Sequence, residues 1–463
     1  MSNLSAFEQH WKLPTGFFTN DTLPSEWRVC EIVQHPSTTH KLQRLLLEGN
    51  SFFCPVGWSS TPDALQPLVE LRNPKSGESV AVIGQTKDGK LYVPFDIQEA
   101  IDSFQLERYI QSSSNVALFG LARRLYYLLR PLIPRPIQIK FRQLISPLQD
   151  KRDFPEWPID MSLDKFHRLL LRLILQVSQI SRVPFIWFWP DGYANAVVLT
   201  HDVETQVGHD NIWPIVKLEK KYGFRSLWNF VPKRYDVDSK VLATLKAEGF
   251  EIGVHGLYHD GHLFGSRGEF EKRVTQINHY LQAWKSESFR SPAALRNLTW
   301  ISESVEATYD TSCPMTEIHV PQPGGCCSVF PFMVGSMVEL PFTMPQDHTL
   351  FTILKQRDER VWFDVASEIM ANYGLVNVIV HPDYMLDPTD LSRYESLLQW
   401  LSEQNKSWFA LPREVAAWWR TRNQQELKYT VDDWQIKGPE AGRATITYAS
   451  ATNQDLVLKF GSF

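Results

Sequence analysis

Cysteine and long apolar stretches are both scarce in this 463-residue sequence. The five cysteines are an odd number and widely scattered, and the adjacent pair Cys326 and Cys327 cannot easily form an ordinary bridge, so a reducing compartment is expected. No apolar run of about 20 residues occurs, and the first residues lack the basic region and apolar run of a secretory signal. We therefore expect a cytoplasmic protein that does not span a membrane.

A strong charge of one sign is absent as well. The formal net charge of −5 and the pI near 6.2 give no global attraction to nucleic acid, and we predict no nucleic-acid partner. Locally, residues 121–152 contain eight Lys or Arg against one acid, Asp150, with apolar residues interleaved. This composition suits peripheral contact with an anionic membrane. A solvated basic helix that packs its Leu face on the next domain explains it too, and we favour that interpretation.

The length exceeds that of one average domain and predicts two or three. Changes of pattern divide the chain into four parts. Residues 1–120 form an α+β domain with a hairpin whose two-residue turn is Asp88 and Gly89. Residues 121–193 form a basic and aromatic helical connector, residues 194–423 the main domain, and residues 424–463 a small β extension of three strands.

Short apolar runs alternate with amphipathic segments throughout residues 194–423. This alternation predicts parallel strands with helices outside them, and roughly eight strand candidates fit a barrel better than an open sheet. Sites of such folds lie at the carboxyl ends of the strands. Five predicted strands end in ionisable residues: His201, Asp202 and Glu204; His255 and His259; Arg290; Asp310; and His381.

Two of these groups have the spacing of a metal site. In VVLTHDVET, extended backbone sends Asp202 and Glu204 to the same face, which suits a metal or an acid/base pair, although either residue could instead cap the following helix. In HGLYH, His255 and His259 could share one ion if a helical turn follows the strand. Two imidazoles and one carboxylate would leave a position on zinc open for water, as in hydrolytic sites.

Five short motifs then resemble, in order, those of the polysaccharide deacetylases with a NodB-homology domain, also described as family-four carbohydrate esterases. The motifs are THDVE, HGLYH, FRSP, YDTS and VIVHP, and the resemblance covers residues 194–419. It implies a deformed (β/α) barrel, so that the predicted fold class is α/β with a deformed barrel of about seven to eight parallel strands. It also implies a divalent metal, most simply zinc, and an acetylated sugar or glycan as substrate.

The resemblance implies a role for each matching residue. Asp202 matches the general base, Arg290 the arginine that holds this base ionised, and His381 the histidine that protonates the leaving amine. We expect Asp310 to tune His381. His255 and His259 match the two metal histidines, so the implied reaction is removal of an N-acyl group, in a setting such as polysaccharide or glycoconjugate biosynthesis.

The first motif departs from the family at Val203. The commonest motif has two consecutive aspartates, of which the second binds the metal, whereas valine has no donor atom. Glu204 is our substitute ligand because alternation places it on the face of Asp202. His201 is a weaker candidate, expected on the opposite face.

Other interpretations stay open. The same barrel resembles hydrolases of cyclic amides and ureides, and a degenerate barrel could bind glycan or a partner without turnover. Asp347 and His348 follow a predicted strand and could meet substrate, but we favour Asp347 as a helix cap. Cys326 or Cys327 could be a nucleophile, but we favour buried, idle thiols.

Overall fold

The structure is a computed structural model that describes residues 4–21, 23–24, 27–35, 41–56, 65–111, 133–149, 152–430, 433–452 and 454–459. It divides into two compact units. Unit 1 comprises Met1–Ser114, Met161–Gly192 and Arg420–Phe463, and unit 2 comprises Asn115–Asp160 and Tyr193–Trp419. The division of the chain into four parts stays a prediction.

The strands and helices are numbered in chain order. The strands are β1 (Ile32–Gln34), β2 (Gln43–Leu47), β3 (Asn50–Cys54), β4 (Gln66–Arg72), β5 (Ser79–Gln85), β6 (Leu91–Val93), β7 (Arg182–Ile186), β8 (Asn195–Val203), β9 (Leu227–Phe230), β10 (Glu251–His255), β11 (Ser288–Arg290), β12 (Tyr309–Asp310), β13 (Phe332–Val334), β14 (Met337–Glu339), β15 (Leu375–Val380), β16 (Ser407–Phe409), β17 (Glu426–Thr430), β18 (Asp433–Lys437), β19 (Ile446–Ala451) and β20 (Leu456–Lys459). The α-helices are α1 (Ser5–Trp11), α2 (Ile97–Gln105), α3 (Arg108–Gln111), α4 (Arg135–Gln149), α5 (Ser162–Ser178), α6 (Gln206–Asp210), α7 (Ile212–Lys221), α8 (Ser239–Ala247), α9 (Arg267–Ala283), α10 (Leu298–Ser304), α11 (Arg360–Ala371), α12 (Pro388–Ser402) and α13 (Pro412–Gln424). Shorter helical segments span Pro190–Gly192, Pro292–Ala294, His348–Ile353 and Ala441–Arg443.

Unit 1 contains a sheet of six described strands in the order β1-β6-β5-β4-β2-β3. The predicted hairpin is present as β5 and β6. Thr86 N donates to Lys90 O, and this hydrogen bond closes a loop of three residues, 87–89, instead of the predicted two. Gly89, at φ +82°, takes the left-handed position in this loop. At the carboxyl end, the described residues form four strands where we predicted three, and β19 pairs with both β7 and β20.

Unit 2 is built on a sheet of nine described strands in the order β13-β14-β12-β11-β10-β9-β8-β15, with β16 also paired to β8. Only β13 runs antiparallel to its neighbour among these pairs. Beyond β14, Thr343 N and Met344 N each donate over 3.2 Å to Asn377 O on β15, which draws the two ends of the sheet together. The predicted mixed α/β class is confirmed, while a closed barrel stays a prediction.

Strand β8 shows how the sequence produces this sheet. All nine of its residues are buried, as expected of a parallel strand covered on both faces. Its residues alternate: His201 points towards the helices, where its Nε2 lies 2.7 Å from Glu219 Oε1 on α7, whereas Thr200 and Asp202 point to the other face. The placement of His201 opposite Asp202 is confirmed.

Helix α4 is the described part of the basic segment. Residues 112–132, 150 and 151 lie outside the described residues, so the prediction for residues 121–152 is tested only on α4. Within the described residues, no helix combines the length and the apolar character needed to cross a membrane.

A buried carboxyl group at the start of β10 gives a stability prediction. Burial raises the pKa of Glu251 to about 7, even though Tyr309 Oη donates to it over 2.6 Å. The folded state therefore keeps a proton that the unfolded chain releases near pH 4.5, and the free energy of unfolding falls as pH rises through this window. This loss is absent in Glu251→Gln. We therefore expect the free energy of unfolding of the variant, relative to that of wild type, to rise by about 2 kcal/mol from pH 5 to pH 8.

Urea unfolding at the two pH values measures this difference. Glu403→Gln, at an exposed position, is the matched control and should leave the pH dependence as it is in wild type. An unchanged slope in Glu251→Gln would show that Glu251 is not the group responsible.

Candidate functional site

The side chains predicted to hold a metal meet at the carboxyl ends of β8 and β10. One donor atom from each of Glu204, His255 and His259 lies within 4.8 Å of the other two. Glu204 Oε1 is 3.0 Å from His259 Nε2, and Asp202 Oδ2 is 3.6 Å from His255 Nε2. The four side chains therefore share one small volume.

Backbone geometry places the two histidines, although by a different route from the one predicted. No helical turn follows β10. Instead Gly256 has φ +60° and His259 has φ +54°, which folds the loop back onto the strand end. A Cβ at position 256 would lie 2.3 Å from Cγ of Pro292, so only glycine fits there.

Glu204 is held by the loop that follows β15. Its backbone N donates over 2.9 Å to Asp383 Oδ2, and Tyr384 Oη lies 3.4 Å from its Oε2. Burial alone would raise the pKa of the Glu204 carboxyl, but His259 outweighs burial, so that the pKa lies well below its ordinary value. Glu204 is therefore an ionised oxygen donor.

The histidines present unused nitrogen atoms to this carboxylate. His255 Nδ1 lies 3.1 Å from Arg290 O and donates its proton there, which leaves the lone pair on Nε2 facing the cluster. Burial lowers the pKa of His255 to about 4, so its ring is neutral at neutral pH. Within the described part of the chain, His255 Nε2 and His259 Nδ1 are buried without a hydrogen-bond partner, and His259 Nε2 faces only the Glu204 carboxylate. One carboxylate and two imidazoles with unused donor atoms fit a zinc ion or a similar divalent metal.

Asp202 lies beside this cluster and is held by two donors. Its Oδ1 accepts from Asn229 Nδ2 over 3.0 Å and from Arg290 Nη1 over 3.2 Å. Arg290 is fixed in turn by Thr200 Oγ1 and by Thr311 O, at 3.0 and 2.9 Å. Burial alone would raise the pKa of the Asp202 carboxyl. The charges of Arg290 and the neighbouring histidines outweigh burial, so that the pKa lies below its ordinary value.

His381 follows β15, and its partner is Asp347. His381 Nδ1 lies 2.6 Å from Asp347 Oδ1, and His381 N donates to Asp347 Oδ2 over 2.9 Å. Burial would lower the pKa of His381, but the Asp347 carboxylate outweighs it and raises the pKa to about 9. The prediction that Asp347 caps a helix is wrong, because its side chain makes no cap hydrogen bond and binds His381 instead.

Asp310 does not take the place that we gave it beside His381. It accepts from Thr311 N over 2.9 Å and from Ser312 Oγ over 2.6 Å, and burial raises its pKa. Burial and the Asp310 carboxyl together raise the pKa of the neighbouring Glu339 well above its ordinary value. Asp310 therefore shapes the loop whose Thr311 holds Arg290, and Asp347 is the residue that acts on His381.

Asn229, Asp383 and Tyr384 lie in the site but are not among the residues that we predicted from the sequence, and the role predicted for Asp347 is wrong. Asn229 lies on β9 next to Asp202 in register, and a polar residue inside SLWNFV was the available signal. Asp383 and Tyr384 are the first and second residues after VIVHP, so the same strand end could have pointed to them. Nothing local in the sequence connects Asp383 to Glu204.

The thiols fit the interpretation that we favoured. Cys326 and Cys327 are buried, and their Sγ atoms lie 3.6 Å from Ser328 O and 3.7 Å from Gly325 O. Their burial agrees with our expectation, and the absence of a nucleophilic role stays a prediction.

Comparisons with known proteins gave matches among solved structures only. No protein-family model and no curated protein matches this chain. A polysaccharide deacetylase structure from Mycobacterium smegmatis is 15% identical with a TM-score of 0.42, covering 53% of this chain and 96% of that chain. The allantoinase Puue is 12% identical, with a TM-score of 0.41 and coverage of 50% and 92%. The peptidoglycan deacetylase PdaC from Bacillus subtilis is 13% identical, with a TM-score of 0.32 and coverage of 48% and 90%.

Proposed function

We propose that this protein is a metal-dependent amide hydrolase that removes an N-acetyl or other N-acyl group from a sugar or glycan. The observation that carries the proposal is the joint placement of three groups in unit 2: the donors Glu204, His255 and His259, the ionised Asp202, and the Asp347-bound His381. The proposal includes the deformed barrel of seven to eight parallel strands and a setting in polysaccharide or glycoconjugate biosynthesis.

Glu204, His255 and His259 would hold the divalent ion, with zinc favoured by the donor set. When bound, such an ion polarises an acyl carbonyl and lowers the pKa of water. Asp202 lies within 3.6 Å of His255 Nε2 and is ionised, so it can accept the proton of the attacking water. Arg290 and Asn229 bind only its Oδ1, which leaves Oδ2 available for this proton.

His381 is the proton donor in this scheme. Its Nδ1–H is bound by Asp347, so Nε2 is the nitrogen available to the leaving amine. Because its pKa is about 9, the ring is protonated at neutral pH, as a general acid must be. An ionised base, Asp202, and a protonated acid, His381, thus lie in one site. The two groups have different buried partners, and these partners keep them in different protonation states.

Acetate release by the full-length protein tests the proposal. The purified protein is supplied with zinc or cobalt and offered a panel of N-acetylated sugars and oligosaccharides, with a second panel of cyclic amides and ureides. Turnover of an acetylated sugar supports the proposal, and turnover of the ureide panel alone assigns the cyclic-amide alternative. A protein that binds no stoichiometric metal and releases no acetate would overturn it.

Asp347→Asn should lower kcat by about 10- to 100-fold and shift the pH profile. The Asp347 carboxylate raises the pKa of His381, so its loss lowers that pKa, and His381 then loses its proton at lower pH. The alkaline limb of the kcat profile should therefore move to lower pH. Asp358→Asn, at a side chain that is 44% exposed, is the control and should leave both limbs in place. A fall in kcat without movement of the alkaline limb would mean that Asp347 supports the fold alone.

A further inference from the structure

Helix α4 carries an exposed apolar face. Ile137, Phe141 and Leu144 are 56%, 52% and 77% exposed, and they recur at the i, i+4, i+7 spacing that places them on one side of a helix. We call these three residues the docking face. We favoured the prediction that the apolar face of this segment packs on the next domain. For these three residues the prediction is wrong, because their side chains are exposed.

On the opposite side of α4, polar side chains contact other residues of unit 2. Arg142 Nη1 lies 2.7 Å from His348 Nε2, and its Nη2 donates to His319 O over 2.8 Å. Gln143 Nε2 donates to Thr352 O over 2.8 Å. These polar residues hold α4 in place, so the docking face points towards solvent.

This anchoring places α4 next to the candidate site. The ring of His348 stacks on that of Tyr384 with centroids 4.3 Å apart, and Tyr384 Oη lies 3.4 Å from Glu204 Oε2. Arg142, His348 and Tyr384 thus form a continuous chain of contacts from α4 to the proposed metal ligand. Other exposed apolar residues follow the strands that carry the site: Val207, Tyr258 and Leu386.

The sequence of α4 carries charge of one sign, because it contains Arg135, Lys140 and Arg142 but no Asp or Glu. No Asp or Glu occurs between Glu107 and Asp150 in the sequence. Lys140 is exposed on α4 beside the apolar residues. A helix with an apolar face and basic flanks is complementary to an anionic bilayer surface.

We propose that the docking face lies on an anionic lipid bilayer, and that the substrate is an N-acylated sugar carried on a lipid in that bilayer. The substrate part rests on the proposed function; the bilayer part does not. The apolar residues enter the headgroup boundary, Lys140 beside them contacts the anionic headgroups, and the site is presented to sugars that project from the surface.

Vesicle sedimentation with the full-length protein tests the bilayer part without any turnover. We expect binding to vesicles of phosphatidylcholine with phosphatidylglycerol, weaker binding to phosphatidylcholine alone, and loss of binding as NaCl is raised. The variant Phe141→Ser with Leu144→Ser should bind the anionic vesicles about tenfold more weakly. Phe409→Ser, at a position 38% exposed outside α4, is the matched control and should bind as wild type does.

Absence of binding to anionic vesicles at low ionic strength would overturn the proposal, and so would equal binding by wild type and the double variant. A third outcome is that the wild type forms an oligomer and binds no vesicles, whereas the double variant is a monomer. In that case a second copy of the chain covers the docking face, and the proposal is wrong.

Activity measurements separate this proposal from the proposed function. On a soluble acetylated sugar, the double variant should retain wild-type kcat/KM within about twofold, because neither residue touches the site. On an acetylated glycolipid in anionic vesicles its rate should fall about tenfold. Vesicle binding without acetate release from any substrate would refute the proposed function alone, whereas acetate release with no vesicle binding would refute the docking face alone.

Discussion

Asp202→Asn is expected to lower kcat/KM for acetate release by about a thousandfold while the protein stays folded and keeps its metal. An amide at this position can still accept from Asn229, as the carboxylate Oδ1 does over 3.0 Å, so the shape of the site is retained. It cannot accept a proton from water. Arg290 loses its charged partner but keeps its bonds to Thr200 and Thr311. Steady-state kinetics, thermal unfolding and metal analysis of the same preparation measure the three quantities.

Asp210→Asn provides the matched control, because this aspartate follows the same strand but its side chain is 67% exposed. It should retain wild-type kinetics. Activity in Asp202→Asn within about tenfold of wild type would assign the base elsewhere. If the wild type shows no turnover and the variant keeps full cellular function, the interpretation as a glycan-binding or partner-binding protein without catalysis is the correct one.

The strand ends were predictable because their signal is local. Each of β8, β10 and β15 is a short apolar run, and the ionisable residues come directly after or at its end. Parallel strands bring such ends to one edge of a sheet, so the meeting of Asp202, His255 and His381 follows from alternation and strand direction alone. The same alternation correctly separated Glu204 from His201.

The partners of these residues were not predictable from local pattern. Asp347 is 34 positions from His381, and an aspartate before a helical segment looks the same whether it caps that segment or binds a histidine. Asp383 reaches Glu204 across 179 positions. The turn between His255 and His259 depends on the contact of Gly256 with Pro292, which no spacing within HGLYH encodes. The sequence thus indicated which side chains meet at the candidate site, and tertiary packing determines which partners hold them there.

Glu204→Gln is expected to lower the affinity for zinc by about 100-fold or more and to abolish activity at limiting metal. Val203 offers no donor atom, and Glu204 is the carboxylate that groups with His255 and His259. An amide oxygen carries no charge, so the site would lose the anion that compensates the ion. Tyr384 and Asp383 still hold the residue in place, since one contacts the side chain and the other binds the backbone N. Competition with a chromogenic chelator gives the affinity, and far-UV circular dichroism reports the fold.

Glu251→Gln is the matched control for this test, because it replaces another largely buried glutamate of unit 2 at the opposite end of β10 from His255. It should bind zinc as wild type does, and His255→Ala should fail to bind. If Glu204→Gln binds zinc with wild-type affinity, Glu204 is not the carboxylate ligand. Asp202, whose Oδ2 lies 3.6 Å from His255 Nε2, would then be the ligand. In that case Asp202→Asn would lose metal together with activity, so the metal content of the two variants distinguishes the ligand from the base.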